Sequence, residues 1–468
     1  MDILLTHAYY LFDDPIERQI MKPYPPLGLL YIAAYLRSLG YQVEVVDSTF
    51  MTPGDHHAVI AASKASIVGI YANMITRRNV SRIIAAANQR GATVVMGGPD
   101  PVNYTREYLD IGADVIVVGE GEQTVAALLP ALKNAPAAEL ASIPGIVYSG
   151  ADGEPVTTPP REQIRDLDGL PFPARDSIDM QRYLDTWKQY HGASAVSIIT
   201  ARGCPFTCRW CSHSVYGFTY RRRSVTDVAD ELEEIEATLA PDRIWYADDV
   251  FAMSRHWLRD FAAELERRKL KLPFETISRE DRLDAEVIKL LASMGCHRLW
   301  VGAESGSQKI LDAMDRRTSA ARMRHIIKLL QENGIKAGTF IMLGYEGEDW
   351  DDLDETNAYL RAALPDEVLM TLAYPIKGTP FYEDVKQRII CKEEWASGSD
   401  RDFGIAGRHS HLFYAHAQKW IHSQVQLAKE LRRGVPGYLN AGRLYVKSKR
   451  HRASMYLTRN QVEGAGDA

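Results

Sequence analysis

Cysteine is scarce in this chain: five in 468 residues, an odd number, three of them between positions 204 and 211. So sparse a set excludes a disulfide scaffold and the small secreted domains that depend on one. Long apolar runs are missing too. The stretch from Leu27 to Leu36 stops at Arg37, far short of the roughly 20 residues a membrane helix needs. The first residues, Asp2-Ile3-Leu4-Leu5, show no basic region, apolar core and cleavage site in series, so the expected location is the cytoplasm. No internal repeat and no low-complexity tract is visible. Positive charge is not in excess either: 55 Lys/Arg against 61 Asp/Glu leave −6, a balance that does not suggest nucleic-acid binding by the chain as a whole.

What is present reads as globular. Hydrophobic residues make up 46% and charged residues 25%, and the length suggests about three domains of roughly 150 residues. Charge is unevenly spread. From Arg401 to the end there are twelve Lys/Arg and four Asp/Glu, +8, leaving −14 on the first 400 residues. Such a basic segment suits an acidic substrate, a lipid surface or an acidic partner; it equally suits a solvated face balancing an acidic body.

The first 150 residues alternate short Val/Ile-rich runs with helical patterns. Strands are expected at Ile3–Thr6, Val43–Asp47, Ile67–Tyr71, Thr93–Met96 and Val115–Val118, with helices at Leu27–Leu39, Val80–Gln89 and Thr124–Leu132. This is the pattern of a doubly wound, flavodoxin-like parallel sheet, whose ligands bind beyond the carboxyl ends of the strands. Residues 146–190, with Thr157-Thr158-Pro159-Pro160 and Leu170-Pro171-Phe172-Pro173, read as a linker packed on its neighbours. A second series follows. Strands are expected at Val196–Thr200, Arg243–Ala247, Pro273–Ile277, Arg298–Gly302, Gly338–Leu343 and Val368–Leu372, with helices such as Val225–Leu239, Trp257–Lys269, Ala285–Met294 and Met323–Asn333. Six βα units are too few for a closed eight-fold barrel, so a partial (βα)6 barrel is expected over 191–385, followed by a mostly helical basic segment over 386–468.

The chemistry starts at Gly203-Cys204-Pro205-Phe206-Thr207-Cys208-Arg209-Trp210-Cys211-Ser212-His213. Cys204, Cys208 and Cys211 have the spacing C-x3-C-x2-C directly after an expected strand. Three thiolates on one tight loop can hold three corners of an iron–sulfur cube and leave the fourth iron open. A zinc site completed by His213, or three structural cysteines, is the alternative; zinc sites usually pair two C-x2-C units, and no second unit exists. Cys296 and Cys391 cannot supply a second cluster, and Cys296 suits a small buried hydrophobe. His409, His411 and His416 show no metal-binding spacing and read as surface or packing residues.

On the cysteine loop and the barrel pattern, residues 196 to about 380 resemble the radical S-adenosylmethionine (radical SAM) superfamily. Residues 1–145 are similar to a cobalamin-binding domain. Together they resemble the class that includes cobalamin-dependent radical SAM methyltransferases and the anaerobic magnesium-protoporphyrin monomethyl ester cyclase.

The resemblance implies three cofactors: a [4Fe–4S] cluster on the three cysteines, S-adenosylmethionine (SAM) and cobalamin. It implies cleavage of SAM to methionine and a deoxyadenosyl radical, with methylation of an unactivated carbon of a small-molecule or lipid-like intermediate. The alternatives are cyclisation or rearrangement without net methyl transfer and, from a different class, a cobalamin- or zinc-binding regulatory protein. An electron donor such as a flavodoxin or ferredoxin is implied, and no nucleic acid.

Residue by residue, the resemblance places Trp210, Asp248, Asp249, Arg279, Glu304, Ser305 and Gly344 around SAM. Asp248 and Asp249 could instead cap the next helix, Arg279 could form a rim ion pair, and Phe340–Gly344 could be plain barrel core. For cobalamin it places His7, Asn73, Gly97, Gly98, Gly119 and Gly121 at strand ends, where ordinary βα turns would also use glycine. The loop Thr6-His7-Ala8-Tyr9-Tyr10 lacks the D-x-H-x-x-G motif that supplies a cobalt-ligating histidine in many cobalamin proteins. Cobalamin is therefore expected without an imidazole from that motif, or lost from the domain altogether.

Overall fold

The computed structural model describes residues 1–134, 139–391, 393–434 and 437–464. The chain divides into two units. Unit one comprises Met1–Pro205, Ser212–Trp245 and Glu393–Arg401; unit two comprises Phe206–Cys211, Tyr246–Lys392 and Asp402–Ala468.

Unit one is built on a seven-stranded sheet: β1 (Ile3–His7), β2 (Val43–Val46), β3 (Ile67–Tyr71), β4 (Thr93–Gly97), β5 (Val115–Val117), β6 (Ile146–Ser149) and β7 (Pro155–Thr157). Its order is β2-β1-β3-β4-β5-β6-β7, and β1 to β5 run parallel. The order 2-1-3-4-5 is the flavodoxin-like one, with its switch point between β1 and β3.

Alternation within each strand explains why both faces are covered. Leu4, Val68, Val94 and Ile116 face one side, where they pack with Ile60 and with Val80, Ile83 and Ile84. Ile3, Leu5, Ile67, Val95 and Val115 face the other, against Leu29, Ala33 and Leu36 and against Val125, Leu128 and Leu129. Residues 146–157, expected as the start of the linker, instead form the antiparallel strands β6 and β7 of this sheet. Ile146 and Val147 are buried there, which a loose linker would not achieve.

Among the helices that escaped sequence expectation are Pro15–Ile20 and Pro53–Ala62. Neither carries an apolar stripe: the first buries no residue and the second only His56 and Ile60. Their start signals were legible, since Asp14 and Thr52 cap them and a proline follows each.

The second series also opens in unit one, with β8 (Ala195–Ile198), the two-residue strands β9 (Ala201–Arg202) and β10 (Arg221–Arg222), and β11 (Arg243–Tyr246) at the boundary. It continues in unit two with β12 (Phe274–Ser278), β13 (Cys296–Glu304), β14 (Lys336–Leu343) and β15 (Glu367–Leu372). These four are parallel, and each neighbours the next in chain order. A helix follows each of β12, β13 and β14, at Ala285–Ser293, Ala320–Glu332 and Trp350–Ala363. Sequential parallel order with intervening helices is singly wound, as in a βα barrel.

The chain ends in two packed helices, His411–Arg432 and Tyr438–Thr458, so the C-terminal segment is mostly helical as expected. Within the expected segment 386–468, residues 392, 435, 436 and 465–468 lie outside the described residues. Among the described residues no helix is long and apolar enough to cross a membrane.

Candidate functional site

The cysteine loop begins on a short ribbon in unit one. β9 and β10 pair antiparallel, Arg202 opposite Arg221, and Cys204 lies two residues beyond Arg202. Gly203 makes the turn with φ +85°, and a Cβ there would meet the Thr219 carbonyl oxygen at 2.2 Å. Only glycine fits this position.

The ribbon is held by carboxylates from the loop after β5. Glu120 accepts from Arg202 Nη1 at 2.7 Å and from Arg221 Nη1 at 2.6 Å, and Glu122 accepts from Arg202 Nη2 at 2.6 Å. Arg202 is buried, and its guanidinium lies 5.2 Å from the Tyr31 ring centre. Sequence reading marked Gly119 and Gly121 on this loop and missed the two glutamates between and beside them. The G-E-G-E run was the available signal; its arginine partners stand some 80 to 100 positions away.

The rest of the loop belongs to unit two. Arg209 N donates to Met314 O and Phe381 N donates to Arg209 O, tying Cys208–Cys211 to the barrel. Trp210 packs beside Ile310, Met314 and Phe381. Cys208 is buried and accepts from Arg279 Nη1 at 3.5 Å. Its hydrogen bond with Cys211, helped by the Arg316 and Arg279 guanidiniums and opposed by burial, brings the thiol down to about 6. A sulfur so placed readily exists as the thiolate a metal centre takes.

None of the five cysteines is bridged by a disulfide. Three thiolates at the C-x3-C-x2-C spacing suit three corners of an iron–sulfur cluster. His213, the fourth zinc ligand in the alternative reading, stacks on Phe218 with ring centres 4.1 Å apart. The donor set therefore fits an iron–sulfur cluster.

Around Cys208 the barrel strands end in a charged cluster. Arg279, after β12, lies 3.7 Å from the Phe206 ring centre, donates to Asp281 Oδ1 at 3.0 Å and to the Arg316 carbonyl at 3.1 Å. Arg316 pairs with Glu280 at 2.9 Å and donates to the Gly302 carbonyl at 2.8 Å. Glu304, at the end of β13, is a non-glycine residue at φ +62°, a conformation that costs about 1–2 kcal/mol. Its carboxyl folds back over Gly302, where a Cβ would sit 2.5 Å from Glu304 Oε1. Burial, partly offset by Arg316, raises this carboxyl to about 7. Strain and a displaced pKa at one strand end are marks of a working site.

Other expected SAM residues behave differently. Ser305 is fully buried, lies 3.2 Å from Thr356 Oγ1 and accepts from Ser307 N, so its hydroxyl is used inside the fold. Gly344 donates its N–H to Glu348 at 2.5 Å. Asp248 is buried and Asp249 exposed, and neither caps a helix: the N-caps that follow are Val250 and Ser254. Glu280 and Arg316, which sequence reading missed, lie 36 positions apart and carry no motif.

At the carboxyl ends of the first sheet, His7 is buried, with Nε2 2.9 Å from Asp47 Oδ1 and Nδ1 accepting from Tyr9 N at 3.2 Å. Both ring nitrogens are thus engaged, and neither is offered to a metal. Asn73 Oδ1 accepts from Ile75 N and Thr76 N, shaping the loop after β3. Gly98 and Gly121 are needed by the fold itself, since a Cβ would strike the Ala72 carbonyl at 2.3 Å and Ile32 at 2.6 Å. Gly97 has open space and Gly119 only one contact, at 3.6 Å, so here the backbone stands bare beyond β4 and β5. These open strand ends fit a bulky flat ligand such as cobalamin.

Comparison with known proteins agrees with the geometry. Residues 198–360 match the Radical SAM superfamily and residues 18–129 the B12 binding domain. An uncharacterized methyltransferase of Pyrococcus horikoshii is 29% identical over 79% of this chain and 80% of its own length. The anaerobic magnesium-protoporphyrin IX monomethyl ester cyclase of Rubrivivax gelatinosus is 27% identical over 83% of this chain and 71% of its own. Among solved structures, the cobalamin-dependent SAM radical enzyme OxsB with aqua-cobalamin superposes with a TM-score of 0.74 at 17% identity, covering 98% of this chain and 72% of that one.

Proposed function

We propose that this chain, whose residues 198–360 match the Radical SAM superfamily and 18–129 the B12 binding domain, uses a [4Fe–4S] cluster, SAM and cobalamin as a cobalamin-dependent methyltransferase acting on an unactivated carbon of a small-molecule or lipid-like intermediate. The observation that carries the reading is the cysteine loop: the C-x3-C-x2-C spacing, with a buried thiol at Cys208 accepting from Arg279, after a turn that only Gly203 permits. When bound, the cofactors supply one-electron cleavage of SAM and a transferable methyl group; the protein supplies binding, orientation and exclusion of water.

The roles follow the placement of side chains. Cys204, Cys208 and Cys211 hold the cluster. Trp210, wedged beside Ile310 and Phe381, fixes the loop next to the barrel core. Glu304, at its strained strand end, with Asp248 and Arg279, presents charge to the amino and carboxylate groups of SAM. Ser305 and Gly344 shape the strand ends without offering a free side chain. Residues 1–145 would bind cobalamin at the Gly97 and Gly119 strand ends, with Asn73 shaping the loop after β3 and His7 engaged by Asp47. Residues 191–385 form the SAM-cleaving barrel and 386–468 a basic C-terminal segment.

The test is anaerobic reconstitution followed by iron, sulfide and product analysis. Wild type should bind about four irons and release deoxyadenosine; Cys208→Ala should lose both. A Cys208→Ala protein that still forms deoxyadenosine at the wild-type rate rules the reading out. The similarity to the cyclase supports a second reading, ring closure without methyl transfer. Methyl transfer yields S-adenosylhomocysteine alongside deoxyadenosine and a heavier product, whereas ring closure yields deoxyadenosine without S-adenosylhomocysteine.

A further inference from the structure

We propose that the outer face of the last helix, Tyr438–Thr458, is a docking surface for an anionic lipid bilayer. This is independent of the reaction assigned above.

The helix has five Lys/Arg, at 443, 447, 449, 450 and 452, and no Asp or Glu. Its inner side, with Ala441, Ser448, Met455 and Thr458 buried, faces the helix His411–Arg432; Gln424 Nε2 donates to Ser448 Oγ at 2.6 Å across that seam. Arg452 turns inward as well, pairing with Asp354 at 2.5 Å over the rings of Trp350 and Trp420. The other four cations are exposed, and among the described residues none of them pairs with a carboxylate.

The outward residues are sorted into rows. Val446, Ala453 and Leu457 stand at i, i+7 and i+11 and so share one line down the helix. Val446 is 67% exposed and Leu457 79%, large for apolar side chains. On one flank Arg443, Lys447 and Arg450 follow at i, i+4 and i+7. On the other stand the exposed rings of Tyr438, Tyr445 and Tyr456, with Lys449 Nζ 5.4 Å from the Tyr445 ring centre. An apolar line edged by cations and tyrosines is the pattern of a helix lying in a bilayer interface: aliphatic groups enter the acyl boundary while Lys, Arg and Tyr reach the headgroups.

Charge selects this occupant. The first 400 residues carry −14 and the segment from Arg401 carries +8, so this segment has the sign that an anionic surface attracts. A second copy would bring like charges together. A nucleic acid would match the cations but leave Val446 and Leu457 in water.

The test uses the full chain in vesicle flotation, with neutral phosphatidylcholine against phosphatidylcholine containing phosphatidylglycerol. Wild type should float with the anionic vesicles, less so at high salt, and stay behind with the neutral ones. Val446→Ser/Leu457→Ser, which leaves the charge unchanged, and Arg443→Glu/Lys447→Glu/Arg450→Glu should each weaken flotation by at least about tenfold, with circular dichroism unchanged. In an otherwise wild-type chain, Tyr445→Trp emission should shift to shorter wavelength on anionic vesicles alone. The proposal is overturned if wild type ignores anionic vesicles, or if the Val446/Leu457 variant floats like wild type. It is equally overturned if duplex DNA quenches the shift as well as vesicles produce it, or if wild type is a dimer that Val446→Ser/Leu457→Ser disperses.

Discussion

His56 shows how much one buried polar side chain can commit. It is fully buried in unit one, with Nε2 2.8 Å from Thr6 Oγ1 and Nδ1 2.8 Å from Tyr10 Oη. Thr6 Oγ1 already donates to the Val46 carbonyl at 2.7 Å, so it accepts from His56 Nε2–H, and Nδ1 is left to accept from Tyr10. That tautomer is neutral, and burial, with His7 close by, lowers its pKa from 6.5 to about 4. Above pH 6.5 the ring is uncharged in both folded and unfolded chains. Between 6.5 and 4 only the unfolded chain takes the proton, so stability falls as pH falls through that window, by at most about 3 kcal/mol. Urea unfolding at pH 7 and pH 4.5 should show this loss in wild type and a flatter dependence in His56→Asn, from a lower starting stability. An equal slope in both proteins would assign the acid sensitivity elsewhere. In the sequence this histidine sits in a helix with no apolar stripe, and nothing local marks it as a core residue.

The cysteine-bearing ribbon is the element on which the site depends most. β9 and β10 contribute two residues each, too little hydrogen bonding to stand alone. Glu120 and Glu122 stabilise the ribbon by pairing with Arg202 and Arg221, and Gly203 closes its turn. Gly203→Ala would add about 1–2 kcal/mol of left-handed strain and press a methyl group on the Thr219 carbonyl. The expected outcome is a folded protein with reduced iron retention after reconstitution; full iron content would show that the turn tolerates a side chain. The cysteine spacing itself was fully legible, because ligand spacing is local. The carboxylates that hold the ribbon were not, because an ion pair across 80 residues leaves no periodic trace.

At the scale of the whole molecule, a buried long-range tie within unit one forms at Arg77. It is 1% exposed and bonded to Asp100 at 2.7 Å and Asp400 at 2.6 Å, with Tyr108 donating to Asp100 and Tyr104 to Asp400. Trp395 stacks edge-on against Tyr108 at 4.8 Å. This cluster explains why Glu393–Arg401 belongs to unit one. Arg77→Met would leave two buried carboxylates without their cation, a loss of about 3–5 kcal/mol. Limited proteolysis should then cut the 393–401 stretch much faster than in wild type; unchanged protection would mean that Trp395 packing and the Arg78 and Arg401 contacts suffice to hold it. The sequence by itself determined the strand series, the α/β class, the cysteine motif and the basic end of the chain, since periodicity, spacing and composition are written in neighbouring residues. Only the tertiary structure decided that 146–157 join the first sheet, that His7 is engaged by Asp47, that Glu304 is strained beside Arg316, and that Asp400 returns to Arg77. Each of these depends on side chains tens to hundreds of positions apart meeting in a low-dielectric interior, where partners are chosen by packing and charge and not by proximity along the chain.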